Sequence, residues 1–138
     1  MTLRRDSEAR EILEPALQFA RAMGIPKLEA DVLKVQAHIA LEGGETEVAA
    51  RLAIKCLGIA AGFGMRLRVT GALVLMGRVS AVRGEWTTAQ SLLHAGIALG
   101  HEQGYQLQVE SADRELMRID SWTRGVLGRG RSERTGGG

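Results

Sequence analysis

Small and apolar residues return every forty positions along this chain, and that repetition constrains the fold more than any other feature. Ala9, Ala49 and Ala89 stand forty apart, followed in register by Ile12, Leu52 and Leu92. Leu13, Ala53 and Leu93 continue the series, then Ala16, Cys56 and Gly96, Leu17, Leu57 and Ile97, and Ala20, Ala60 and Gly100. Gly24, Gly64 and Gly104 close each copy. The intervening half also repeats, with Leu33 matched by Leu73, Ala37 by Gly77 and Gly44 by Gly84. No insertion breaks the period.

Within one copy the steps of three and four residues, as in Ala9, Ile12, Leu13, Ala16, Leu17 and Ala20, lay one apolar stripe along a helix. The glycines just past each stripe mark left-handed helix ends. Gly43-Gly44 and Arg83-Gly84 mark tight turns, and Thr46 and Thr87 fit the N-cap position after them. The reading is six antiparallel helices near residues 6–23, 28–42, 46–62, 66–83, 87–102 and 106–122. Ala16, Ala37, Ala49, Gly77, Ala89 and Gly96 are expected at helix crossings, where small side chains let two backbones approach. Ala49, Leu52, Cys56, Leu57, Leu73, Met76, Ala89, Leu92, Leu93 and Ile97 are expected to be buried. A single helix pair cannot bury its own apolar face, so successive pairs must stack.

Composition narrows the class. With 45% hydrophobic and 25% charged residues, the 138-residue chain reads as one ordinary soluble domain. The net charge of +2 is too small to argue for nucleic acid or a membrane surface. The single cysteine, Cys56, excludes an internal disulfide framework. No signal core follows Met1, and no apolar run approaches the roughly 20 residues of a membrane helix. A cytoplasmic protein is the expectation.

The spacings resemble the tetratricopeptide repeat. Gly77, Ala89, Leu93 and Gly96 match that family's small, small, large and small positions. Ala37, Ala49, Ala53 and Cys56 match them too, with Ala53 small where a bulky residue is usual, and Ala9, Leu13 and Ala16 match the second half. Leu75-Met76-Gly77, with Arg83-Gly84-Glu85-Trp86 and Ala89 downstream, is the fullest copy. The forty-residue period resembles the extended form in the maltose-regulon activator, related signalling ATPases and the regions behind some bacterial protein kinases. The resemblance covers roughly residues 6–122 and lacks the family's usual bulky aromatics in the first helix of each repeat. It implies an all-α fold, a right-handed α-α superhelix of about six helices. A half repeat would occupy residues 6–24, full repeats 28–64 and 68–104, and a final helix 106–122. Residues 1–5 would be an N-terminal extension and 123–138 a flexible basic Gly/Arg tail.

The resemblance also implies a concave groove lined by Asp31, Lys34, His38 and Leu41, by Val74, Arg78 and Ala81, and by Ser111, Arg114 and Arg118. Lys34, Arg78, Arg114 and Arg118 would give it a positive lean suited to an acidic peptide, set against the reading of these as ordinary solvated charges. The asparagine-dependent clamp that grips chaperone C-termini is excluded, because the chain contains no asparagine.

No catalytic constellation stands out, and no cofactor or metal is expected. His94 and His101 share a helix face without a carboxylate or thiolate at matched spacing, which makes a poor metal site. Cys56 falls at a small core position with no histidine placed to activate it. Gly125, Gly128 and Gly130 lack the strand and the Lys-Ser or Lys-Thr of a phosphate loop. Arg124, Arg129, Arg131 and Arg134 would make at most a weak electrostatic arm, without aromatics to stack bases. The leading expectation is a non-catalytic protein-interaction scaffold. The alternative is a regulatory or sensor segment of a larger signalling ATPase, kinase or transcription regulator, and an RNA-binding repeat ranks below both. The last helix, with Glu110, Asp113, Arg114, Glu115, Arg118 and Asp120, reads as a polar cap. The first carries Ile12, Leu13, Leu17, Phe19 and Met23, too many apolar residues for one inward stripe. A patch around Phe19 is therefore expected, covered by a second copy or another protein, unless Phe19 folds back on Pro15.

Overall fold

The structure, a computed structural model, describes the backbone of residues 2–136 and the side chains of residues 7–121. Six helices follow in order: α1 Thr2–Met23, α2 Pro26–Glu42, α3 Thr46–Gly62, α4 Arg66–Val82, α5 Trp86–Gln103 and α6 Gln106–Gly136. Among the described residues there is no strand.

The helices are joined by one turn used five times. Gly24, Gly44, Gly64, Gly84 and Gly104 all take φ between 63° and 79°, the left-handed region that a Cβ disfavours. The residue after each glycine, Ile25, Glu45, Met65, Glu85 or Tyr105, donates its N–H to Ala20, Ala40, Ala60, Ser80 or Gly100 across 2.7–2.9 Å. That closes the preceding helix. The carbonyl of the same residue then accepts the first bond of the next helix, as Glu45 does from the Ala49 N–H at 2.9 Å. Helix end and helix start thus share one residue. With 17-residue helices at α2, α3 and α4, the step from helix to helix is twenty residues, half the sequence period.

This economy corrects the expected caps. Thr46 is the first residue of α3, and Thr87 lies inside α5; the N-caps are Glu45 and Glu85, neither with a side-chain cap bond. A three-residue turn leaves no separate position for a capping threonine. The second helix begins at Pro26 rather than 28, because proline at the first helical position loses no bond. The backbone of α6 continues to Gly136, past the end at 122 and through the stretch read as flexible. No proline follows Pro26, and glycine weakens a helix by only about 1 kcal/mol per residue, so nothing in that stretch forbids the ladder.

Each helix packs on its neighbours in sequence. In addition α2 touches α4 and α4 touches α6, whereas no such contact joins α1, α3 and α5 among the described residues. The even helices therefore form a continuous layer, and each odd helix sits against the adjoining even ones. Small residues make this possible: Ala37, Ala49, Ala53, Ala60 and Ala89 are fully buried. A Cβ added to Gly77 would lie 2.7 Å from Leu93 Cγ, so α4 and α5 cross there as expected. Ala16, by contrast, is only half-buried, since α1 packs on α2 alone.

Leu33, Leu75 and Leu93 are the large core anchors. Of the ten residues expected to be buried, Ala49, Cys56, Ala89 and Leu93 are, while Leu52, Leu57, Leu73, Met76, Leu92 and Ile97 are half-buried. In a two-layer stack an odd helix is covered on one side only, so the edges of its apolar stripe meet water. Cys56 donates its thiol to the Ala30 carbonyl at 3.4 Å, and burial raises its pKa, which makes it an inert core residue.

Candidate functional site: the face of the even helices

The forty-residue register places equivalent positions of α2, α4 and α6 side by side. Arg78 of α4 donates from Nη1 to Nδ1 of His38, forty residues earlier on α2, at 3.1 Å. The row 38–78–118 thus runs across the layer, beside the rows 34–74–114 and 31–71–111.

The central helix is the low one. Where α2 has Lys34 and α6 has Arg114, α4 has the buried Val74; where α2 has Asp31 and α6 has Ser111, α4 has Gly71. The result is a cavity of about 150 Å³ lined by Lys34, His38, Gly71, Val74, Leu75, Arg78, Leu107, Gln108 and Ser111. Lys34 reaches across it, its Nζ 2.9 Å from where a Cβ on Gly71 would stand. A wider cleft of about 510 Å³ adjoins it along Arg78, Ser111, Arg114, Glu115, Met117 and Arg118.

The charges are partly spoken for. Asp31 accepts two bonds from Arg68, Nε at 2.9 Å and Nη2 at 3.0 Å, which raises the arginine's pKa. Glu115 lies 4.0 Å from Arg78 Nε and 3.2 Å from Arg118 Nη1. Lys34 and Arg114 have no carboxylate partner among the described residues; Arg114 donates only to the Glu110 carbonyl, at 3.4 Å. His38, accepting at Nδ1, is neutral. Burial first, then the charges of Arg78 and Lys34, lower its pKa to about 4.

Of the residues expected on the groove, Lys34, His38, Val74, Arg78, Ser111, Arg114 and Arg118 meet on this face, and Asp31 stands beside them. Leu41 and Ala81 do not line it. Leu41 packs with Ala40, Ala49 and Val79, and Ala81 lies in the cluster around Leu93. Both fall at the end of an even helix, where the short turn folds the next helix over the last turn. Glu115, expected on the outward cap, faces Arg78 instead. Gly71, Arg68, Leu107, Gln108 and Met117 were not anticipated; of these, Gly71 stood in register with Asp31 and Ser111 and was legible as a gap. The side chains of Arg124, Arg129, Arg131 and Arg134 lie outside the described residues.

At the other end, α1 turns Ile12, Phe19 and Met23 outward, 70%, 54% and 63% exposed, seven and four residues apart on one helical stripe. Phe19 is not folded away. The outer face of α6 presents Glu110, Asp113 and Asp120, all exposed.

No protein-family model matches this chain, and a search of curated proteins finds no match. Among the described residues no helix is long and apolar enough to cross a membrane, and no three His, Cys, Asp or Glu side chains stand close enough to hold a metal ion.

Proposed function

We propose that this chain is a tetratricopeptide-like right-handed solenoid of the extended forty-residue form, acting as a non-catalytic, cytoplasmic interaction module. Its partner is an acidic segment of another protein, taken on the face of α2, α4 and α6. The observation that supports this reading most is that Lys34, Arg78, Arg114 and Arg118 line two adjoining clefts that share Arg78 and Ser111, with Lys34 and Arg114 free of carboxylate partners among the described residues. Exposed Leu107 and Met117 on the same surface supply apolar contact between the charges.

The test is fluorescence anisotropy with a labelled dodecapeptide of alternating glutamate and alanine, against the same peptide with glutamine. The acidic peptide should bind, and added salt should weaken it, since exposed charges are screened within about 8 Å at physiological ionic strength. Replacing Lys34, Arg114 and Arg118 together by glutamine should weaken it on the order of tenfold. Glutamine at Arg51 and Lys55, exposed on α3 in the other layer, removes two charges away from this face and should leave binding nearly unaltered. Equal losses from both sets would refute a specific face.

A second reading has its own support in the apolar stripe of Ile12, Phe19 and Met23. A module whose one end is apolar and whose other end is polar fits a regulatory arm of a larger signalling protein, or a self-associating subunit, docked through α1.

A further inference from the structure

The small cavity beneath Lys34 has a chemistry narrower than the groove around it. Its nine lining residues include two full cations, Lys34 and Arg78, and no acid. Gln108 and Ser111 add an amide and a hydroxyl that can donate, and Val74, Leu75 and Leu107 form an apolar wall. Lys34 makes no hydrogen bond or ion pair among the described residues. Arg78 donates to His38 at 3.1 Å, and its Nε meets Glu115 only at 4.0 Å, a carboxylate closer to Arg118. Gly71 leaves room here for the end of Lys34, whose Nζ stands 2.9 Å from where a Cβ would lie.

The geometry points to a subsite for a phosphate monoester, with the phosphoryl oxygens held between Lys34 Nζ and the Arg78 guanidinium and bonded by Ser111 and Gln108, and the attached carbon chain against Val74 and Leu107. This rests on the groove reading and adds the ligand class of one pocket within it. A phosphate monoester carries about −1.5 to −2 charges at neutral pH, which matches two cations where a carboxylate would answer one. His38 adds no charge to the site, since burial first and then the charges of Arg78 and Lys34 keep it neutral far below the usual histidine range. Arg78 presents a planar fork of donors and Lys34 a mobile point charge, a pairing suited to a tetrahedral anion.

The experiment is two-dimensional amide NMR of the full chain at pH 7 in low-salt buffer, titrated separately with inorganic phosphate and with acetate. Phosphate should shift the amides of Gly71 and Ser111 along saturable curves, at least about tenfold tighter than acetate, the ratio expected for one further charge-assisted contact. Lys34→Gln should abolish saturation without altering the remaining spectrum, while Arg51→Gln, the same charge change elsewhere, should leave it intact. Equal affinity for acetate, a linear response to phosphate, or a response retained in Lys34→Gln would each overturn the proposal. A blocked phosphoserine tripeptide compared with glycerol phosphate then separates the two sources of the ester. Tighter peptide binding assigns it to a partner segment and tighter glycerol phosphate to a small molecule. Absence of a phosphate response with the acidic dodecapeptide still bound sinks the subsite alone. A phosphate response without dodecapeptide binding sinks the groove reading and leaves the pocket.

Discussion

Three glycines, each replaced by alanine, should give three different results, because each is glycine for a different physical reason. Gly58 lies in the interior of α3, exposed, with nothing within 4 Å of the position a Cβ would take. Alanine there removes only glycine's entropic penalty and should stabilise by about 0.5–1 kcal/mol. Gly84 has φ of +78° and equally open surroundings, so alanine meets only the left-handed backbone penalty and should cost about 1–2 kcal/mol. Gly77 is helical, so the same propensity gain is available, but its Cβ would stand 2.7 Å from Leu93 Cγ and 2.8 Å from Cδ2. Carbon contacts are comfortable near 3.5–4.0 Å, and Leu93 is 0% exposed, with no free space to retreat into. Overpacking of this kind costs about 1–3 kcal/mol, which outweighs the gain and leaves a net loss of roughly 0.5–2 kcal/mol. Leu93→Ala alone should cost about 2–5 kcal/mol by emptying a core site. In that background the collision is gone, so Gly77→Ala should turn stabilising, a coupling of about 1–3 kcal/mol between positions sixteen apart in sequence. Urea denaturation at fixed pH, with m-values checked for constancy, measures all six proteins. If Gly77→Ala stabilises as much as Gly58→Ala, or shows no coupling to Leu93→Ala, then α4 and α5 do not cross there and the fold as described is wrong.

Two further outcomes are expected. His38 has a folded pKa of about 4 against the ordinary 6.5, so the unfolded chain takes up its proton first and stability falls as pH drops from 6.5 towards 4, then levels. The difference of about 2.5 units caps the effect near 3.4 kcal/mol, and partial exposure reduces it to about 1–2 kcal/mol. His38→Gln, which keeps an acceptor for Arg78 amid Lys34 and Glu115, should flatten that part of the profile in urea melts at pH 7 and pH 5; a parallel profile would show that another group titrates. Phe19→Ser should abolish concentration-dependent association seen by light scattering after size exclusion, and wild type running as a monomer at high concentration would rule out self-association through the α1 stripe.

The fold was legible wherever backbone approach restricts side-chain size. Ala49, Ala89, Cys56, Gly77 and Gly96 could be located from register alone, because a crossing admits no larger residue and the restriction recurs with every repeat. The turn glycines were legible for the same reason, a positive φ. Yet the shorter step was also present in Ala20, Ala40, Ala60, Ser80 and Gly100, the five small residues whose carbonyls close the turns. Reading it would have shown that cap and N-cap coincide and would have displaced Thr46 and Thr87. Depth of burial was less legible. Leu52 and Leu92 look like Leu93 in sequence, but one helix presents its stripe to two neighbours from one side, and only the middle of the stripe escapes water. That is a property of how many layers the stack has, which periodicity does not encode.

The site was legible as a face and illegible as a set of pairings, for a reason the rows across α2, α4 and α6 make plain. The repeat dictates that residues forty apart stand beside each other; it does not dictate that they be alike, and His38, Arg78 and Arg118 share a row with different chemistry. Whether a cation is free therefore depends on a diagonal neighbour, such as Arg68 on Asp31 across 37 residues or Glu115 between Arg78 and Arg118, set by side-chain reach rather than spacing. Counting charges along the face overstated it. Arg78 and Arg118 share one carboxylate, and Lys34 and Arg114 carry the uncompensated charge. Those two lie on the same row, separated by Val74, whose apolar side chain keeps α4 low between them. Val74 itself cannot carry a charge, because it belongs to the buried cluster around Leu93 and its Cγ2 stands 3.2 Å from where a Cβ on Gly96 would lie. Arg114→Glu, at the exposed rim of the wider cleft and outside the lining of the small cavity, should weaken an acidic peptide while leaving the phosphate response in place; loss of both together would show that the cavity and the groove are one site.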